Sequence, residues 1–182
     1  MKRCVFSILL SLVLCLSLLP GVALAADESS VNVGGVTLNA EHPYAKTQED
    51  GTVSTESANE NDYNIHWNAD TATLSLNGAN VASTLSVPGG TTIELFNDNQ
   101  FGDVEHTVAV GITTTTQVQD GAAALHVTGD GSLTIYSFNE GISDGAGSTG
   151  TLVFSGGAIE ITNMQSAPIY TRSGGITVHR SE

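Results

Sequence analysis

The chain has 182 residues, 19 acidic against 5 basic side chains and a formal net charge of −14, with Cys4 and Cys15 as its two cysteines. Lys2 and Arg3, the apolar run from Val5 to Leu19 and the small-residue site Ala23-Leu24-Ala25 form the three parts of a secretory signal peptide, so residues 1–25 read as a cleaved leader. Its 15 apolar residues fall short of the roughly 20 that span a bilayer, which disfavours a membrane anchor and points to a secreted or cell-surface product. Cleavage leaves 157 residues, enough for one domain with its own core. Only Lys46, Arg172 and Arg180 then stand against 19 acids, a net charge of −16. Nucleic-acid binding is excluded by that balance, because phosphate contacts need clustered cations. Disulfides, thiolate metal sites and cysteine nucleophiles are excluded as well, since no cysteine follows residue 15.

In chain order, Val31 to Leu38 reads as a strand, Glu49 to Asp62 as a polar loop and Thr73 to Leu76 as a second strand. Residues 26–80 thus form an N-terminal capping segment with the first strands, and residues 81–182 carry the repetitive part of the same domain. Four units follow one plan there, two short alternating strands joined by a glycine-containing bend. They are Leu85-Ser86-Val87 with Ile93-Glu94-Leu95, Leu125-His126-Val127 with Leu133-Thr134-Ile135, Leu152-Val153-Phe154 with Ile159-Glu160-Ile161, and Ile169-Tyr170-Thr171 with Ile176-Thr177-Val178. No stretch after the leader has sustained helical apolar spacing. Constant short strands with loops of varying length predict an all-β chain built as a β-solenoid, its coils stacked on one another. A β-sandwich stays open as the second reading, because short strands between turns describe it too. The last strand is followed by nothing that resembles a cap, which predicts an uncapped C-terminal end and end-to-end self-association there.

Alternation sends Leu74, Leu76, Ile93, Leu95, Leu133, Ile135, Ile159, Ile161, Ile176 and Val178 inward. The outward positions then stack coil by coil, Glu94, Thr134, Glu160 and Thr177 in one column and Phe96, Tyr136, Thr162 and His179 in the next. Aromatic rings beside carboxylates suit a sugar, whose C–H faces stack on rings while its hydroxyls take hydrogen bonds. Tyr136, Phe96, Glu94 and Glu160 are therefore candidate carbohydrate-binding residues. The competing reading packs Phe96 and Tyr136 under loops. Trp67, the single tryptophan, is a fifth candidate, but alternation sets it on one side with Tyr63 and Ile65, as a core residue would be.

Hard cations take oxygen ligands, and this chain has many, so calcium is the expected metal. The candidate ligands are Asp98 and Asp103 in one group and Asp130, Glu140 and Asp144 in another. Turn formation is the alternative role for such residues. His42, His66, His106, His126 and His179 are scattered without zinc-ligand spacing. No catalytic residue is assigned. A lyase needs a strong base or cation beside the acids, and Lys46, Arg172 and Arg180 lie elsewhere; no motif selects a glycosidase pair from the 19 acids.

Val33-Gly34-Gly35-Val36, Tyr63-Asn64-Ile65, Ala72-Thr73-Leu74-Ser75-Leu76-Asn77, Thr92-Ile93-Glu94-Leu95 and Gly129-Asp130-Gly131-Ser132-Leu133-Thr134-Ile135 resemble a family of secreted, largely clostridial carbohydrate-binding domains. The resemblance runs over roughly residues 31 to 178. It implies a right-handed parallel β-helix of the pectate-lyase type that carries calcium and binds plant-type polysaccharides. The chain is shorter than members of that family, which implies a shortened copy. The expected function is a secreted, non-catalytic carbohydrate-binding module for cell-wall or dietary polysaccharide, calcium-dependent if the ligand is a uronate. The alternative is an adhesin or structural solenoid without glycan affinity.

Overall fold

The computed structural model describes residues 29–105, 107–119, 121–145, 148–162 and 165–179. The expected leader, His106 and Arg180 lie outside the described residues. The described chain is all-β, with seventeen strands. β1 (Val31–Val33), β2 (Val36–Leu38), β3 (Tyr44–Thr47), β4 (Val53–Ser54) and β5 (Ile65–Asn68) come first. They are followed by β6 (Thr73–Asn77), β7 (Asn80–Val81), β8 (Leu85–Val87), β9 (Thr91–Phe96), β10 (Asp98–Phe101) and β11 (Val108–Thr114). The last are β12 (Ala123–Gly129), β13 (Ser132–Ser143), β14 (Thr151–Phe154), β15 (Ala158–Thr162), β16 (Ile169–Tyr170) and β17 (Ile176–Val178).

From β6 onward every pairing between these strands is parallel, in three ladders. The first is β6-β9-β12-β14-β17, with Leu74, Ile93, Val127, Phe154 and Val178 opposite one another in turn. The second is β7-β10-β13-β15, where Val81, Phe101, Ile135 and Ile161 align. The third joins β8, β11, the second half of β13 and β16 through Leu85, Ile112, Ile142 and Ile169. The chain visits the ladders in the same order on each pass. Side chains alternate along a strand, so each ladder turns one apolar column inward. Those columns make the core: Leu74, Ile93, Leu95, Phe101, Ile112, Leu133 and Ile135 are fully buried.

Tight corners make the stacking feasible. Gly129, the last residue of β12, has φ +106°, and a Cβ there would lie 2.2 Å from the Leu95 carbonyl oxygen. On the next pass a Cβ at Gly156 would lie 2.4 Å from the Gly129 oxygen. Only glycine lets backbone pass backbone this closely.

The start of the stack is covered by antiparallel strands. β1 pairs with β8 and β2, while β5 pairs with β6 and β3, and β4 pairs with β3. Val31 to Leu38 is therefore a hairpin rather than the single strand expected. Gly34 and Gly35 both have positive φ, which suits a two-residue hairpin turn. Trp67 pairs with Leu74 and is 1% exposed, and its Nε1 donates to the Ser29 carbonyl at 2.8 Å. It is a core residue, and its expected role as a sugar platform is corrected. Tyr63 precedes β5, so strand alternation does not govern it, and it is 37% exposed instead of sharing the face of Trp67.

The end of the stack has no such cover among the described residues. Ile159, Ile161 and Ile169 are only partly buried, and Ile176 and Val178 are 48% and 72% exposed. Their inward direction is as expected, but no further strand lies over them.

Of the expected outward columns only the Thr134–Glu160 and Tyr136–Thr162 neighbours hold, and the rest are corrected. Glu94 aligns with Ser75 and Thr128, Thr134 with Gln100 and Glu160, and Thr177 with Val153. The physical reason is that the four units are not equivalent. The first and last run from the third ladder into the first, whereas the middle two run from the first ladder into the second.

Candidate functional site

The antiparallel strands that cover the start of the stack carry an aromatic cluster on their outer face. In β5 Ile65 and Trp67 point into the core, so His66 points out. Tyr44 lies directly opposite His66 across the β3–β5 pair. Their rings stack, with centroids 4.8 Å apart and planes at 16°. Tyr63 completes the cluster, 5.0 Å from Tyr44 and 5.5 Å from His66, tilted against both.

Tyr44 also lines a groove of about 410 Å³ together with Glu41, His42, Thr55, Asn59 and Glu60. Local hydrogen bonds fix its walls. Asn39 Oδ1 accepts from the backbone N–H groups of Glu41 at 2.9 Å and His42 at 2.8 Å. Asn59 and Asp62 exchange backbone hydrogen bonds of 3.2 and 3.0 Å. Asn64 ties the far side down, accepting from Thr47 N at 3.0 Å and donating to Thr47 Oγ1 at 2.7 Å and the Gly78 carbonyl at 3.3 Å. Lys46 is drawn to Asp62, Nζ to Oδ1 2.5 Å, and so is engaged in an exposed ion pair.

Burial holds the His66 imidazole below the ordinary histidine range, which favours its neutral form at neutral pH. The site thus combines three stacked or tilted rings, two carboxylates and an amide. Rings offer apolar faces, and carboxylate and amide groups offer acceptors and donors at their edge.

The column that starts at Tyr44 and His66 continues outward through Ser75, Glu94 and Thr128. Ser75 Oγ donates to Glu94 Oε2 at 3.4 Å. Glu94 is two strands from His66, roughly 10 Å at ordinary strand spacing. Farther along the same face, His126 Nε2 lies 2.6 Å from Ser155 Oγ.

The expected platform residues are not brought together. Glu94 stands on the outer face of the eight-stranded sheet, and Phe96, 38% exposed, ends the same strand opposite Asn77. Tyr136, half-buried, faces Thr162, and exposed Glu160 faces Thr134, both in the nine-stranded sheet. Of the expected set, Glu94 alone shares a cross-strand column with His66, two strands away.

The acidic groups expected to hold calcium are dispersed in the same way. Asp98 accepts from Ser132 Oγ at 2.7 Å, and Asp103 accepts from the Glu105 backbone N–H at 2.7 Å. Asp130 is exposed at a corner, and Glu140 is half-buried on β13. Asp144 is buried, its Oδ2 accepting from Arg172 N at 2.9 Å while Oδ1 has no partner. Among the described residues no three His, Cys, Asp or Glu side chains converge.

No family model, curated protein or solved structure matches this chain. The reading of the site therefore rests on its chemistry.

A larger cavity, about 620 Å³, opens at the far end of the stack among Phe154, Ile159, Ile161, Pro168, Ile169 and Val178. Its side chains are mainly apolar, with His179 the polar one, so it offers a glycan fewer side-chain hydrogen-bond partners than the smaller groove. The smaller groove is the better candidate because its polar groups sit beside stacked rings. Tyr44 and His66 are 22 positions apart, and only the antiparallel β3–β5 pair joins them. One signal was visible: two of the four tyrosines fall at positions 44 and 63, in a chain with only 5% aromatic residues.

Proposed function

We propose that the chain is a secreted, non-catalytic carbohydrate-binding module built as a short right-handed parallel β-helix. Its glycan platform is the Tyr44–Tyr63–His66 cluster with the adjoining groove. The β-helix reading is supported by three parallel ladders visited in a fixed order. The hand follows from the strong preference of parallel crossovers for right-handed connection. The single observation that carries the function is the stacked Tyr44–His66 pair at the lip of a groove that also holds Glu41, Asn59 and Glu60. Such a lip can take the apolar face of a pyranose while the groove bonds its hydroxyls.

The charge favours a neutral ligand. Glu41 and Glu60 line the groove of a chain that carries 19 acids, so a polyuronate would be repelled. Among the described residues no three His, Cys, Asp or Glu side chains converge at the groove or elsewhere. The ligand class is accordingly an uncharged cell-wall or dietary polysaccharide. Affinity pull-down on insoluble and soluble neutral glycans, with and without a chelator, tests this. Retention that survives chelator is the expected result, and retention only of uronates, or only with calcium, overturns it. Absence of binding to any glycan leaves the adhesin or structural reading in its place.

A further inference from the structure

We infer that the groove beside the ring cluster is a subsite for an ammonium group, so that an otherwise neutral polysaccharide is held more tightly where its sugars bear free amines. The inference rests on the glycan reading of the ring cluster and adds to it the chemistry of the adjoining groove. Tyr44 is common to both, because its ring stacks on His66 and also lines the groove of about 410 Å³. Glu41 and Glu60 line the same groove, where His42 is the only basic side chain. Among the described residues neither carboxylate has an ion pair. Lys46, the only lysine or arginine between residues 26 and 144, is engaged by Asp62. The segment from residue 41 to residue 62 thus carries six acids, and its one lysine is already paired.

Rings and unpaired carboxylates together select the occupant. The face of an aromatic ring attracts a cation, and an ammonium presents several N–H donors to carboxylates that can only accept. A sugar hydroxyl brings one donor and no charge. Tyr44 joins the two surfaces, so a chain of sugars lying on the rings can set an amino group over the groove. The class that carries such groups is a hexosamine polymer that has lost some of its N-acetyl groups. A fully acetylated or other uncharged glycan binds through the rings, and the amine adds a charged contact to that binding. A uronate is repelled by the same two glutamates.

Isothermal titration compares the β-linked tetramer of N-acetylglucosamine with the same tetramer stripped of its acetyl groups. Slightly acidic buffer keeps the amines protonated, and about 0.15 M salt screens exposed charges farther away than about 8 Å. The de-acetylated tetramer should bind about tenfold more tightly, as expected for one exposed cation–ring contact and two exposed ion pairs. Glu41→Gln/Glu60→Gln should abolish that preference, with retention on uncharged glycans in the pull-down unchanged. Asp130→Asn/Glu160→Gln removes the same charge from exposed positions elsewhere and should preserve the preference. Equal or weaker binding of the de-acetylated tetramer, or binding of neither, overturns the inference and leaves the neutral-glycan reading to stand or fall by the pull-down. A preference that survives Glu41→Gln/Glu60→Gln, or that falls equally in Asp130→Asn/Glu160→Gln, overturns it too, because the attraction then belongs to the acidic body as a whole.

Discussion

Two side chains that alternate along one strand, His66 and Trp67, divide the labour between platform and core. Trp67 is buried against Leu74 and anchored to the Ser29 carbonyl. Trp67→Ala should cost about 3–5 kcal/mol of stability, the range for deleting a large buried aromatic, read as a lower denaturation midpoint. It faces away from the platform, so its fluorescence should stay unchanged when glycan binds. His66 has the opposite role. Burial lowers its proton affinity, so between its folded value and the ordinary value near 6.5 the unfolded chain binds more protons than the native one. Its contribution to stability is full above about pH 6.5 and is lost as pH falls from there through the folded value. Thermal melts at stepped pH should show that loss, and His66→Phe, which keeps a ring opposite Tyr44, should lessen it. Equal pH dependence in the two proteins would contradict this account of His66.

At the scale of the element, the corners matter as much as the strands. Asn99 lies in β10, is 2% exposed, and links successive passes of the chain. Its Oδ1 accepts from Ala79 N at 2.9 Å. Its Nδ2 donates to the carbonyls of Phe96, Asn97 and Ser132 at 3.0, 3.2 and 3.1 Å. The Phe96 and Asn97 carbonyls keep the backbone donors Gly78 N and Ser132 N, so Asn99→Ala chiefly strips the Ala79 N–H of its acceptor, at about 1–3 kcal/mol for a buried group left unmet. Chemical denaturation should show a loss in that range, and a loss below about 1 kcal/mol would mean that water replaces the amide. The strand alternation and glycine bends of this region were legible, because period-two burial and backbone contact at corners leave direct marks on residue type. Leu133, Ile135, Ile93 and Leu95 are inward as read. The equivalence of the units was not legible. Each unit looks alike locally, and the ladder it joins depends on how the chain has already turned.

Across the whole molecule the acidic balance acquires a location. The net charge lies before residue 145, over the platform and the early passes, while the final pass is neutral. That distribution favours an uncharged ligand at the platform. It also explains why the platform was hidden. Tyr44, Tyr63 and His66 lie within a segment dominated by polar turns, and a non-local antiparallel pair assembles them. Glu94 was identified for its outward position, and it shares a column with His66 because β6 pairs with both its strand and β5. The candidate calcium ligands were chosen by nearness in sequence, which corners and strands then separated.

The most direct test of the account is isothermal titration of a neutral oligosaccharide, chosen from the glycans retained in the pull-down, into the unmodified chain and into Tyr44→Ala and Tyr63→Ala. Removing one ring should weaken binding by about tenfold, the equivalent of roughly 1.4 kcal/mol, with chelator making no difference. Unchanged affinity in both tyrosine variants, with loss instead in Tyr136→Ala, would place the glycan on the other sheet and contradict the account.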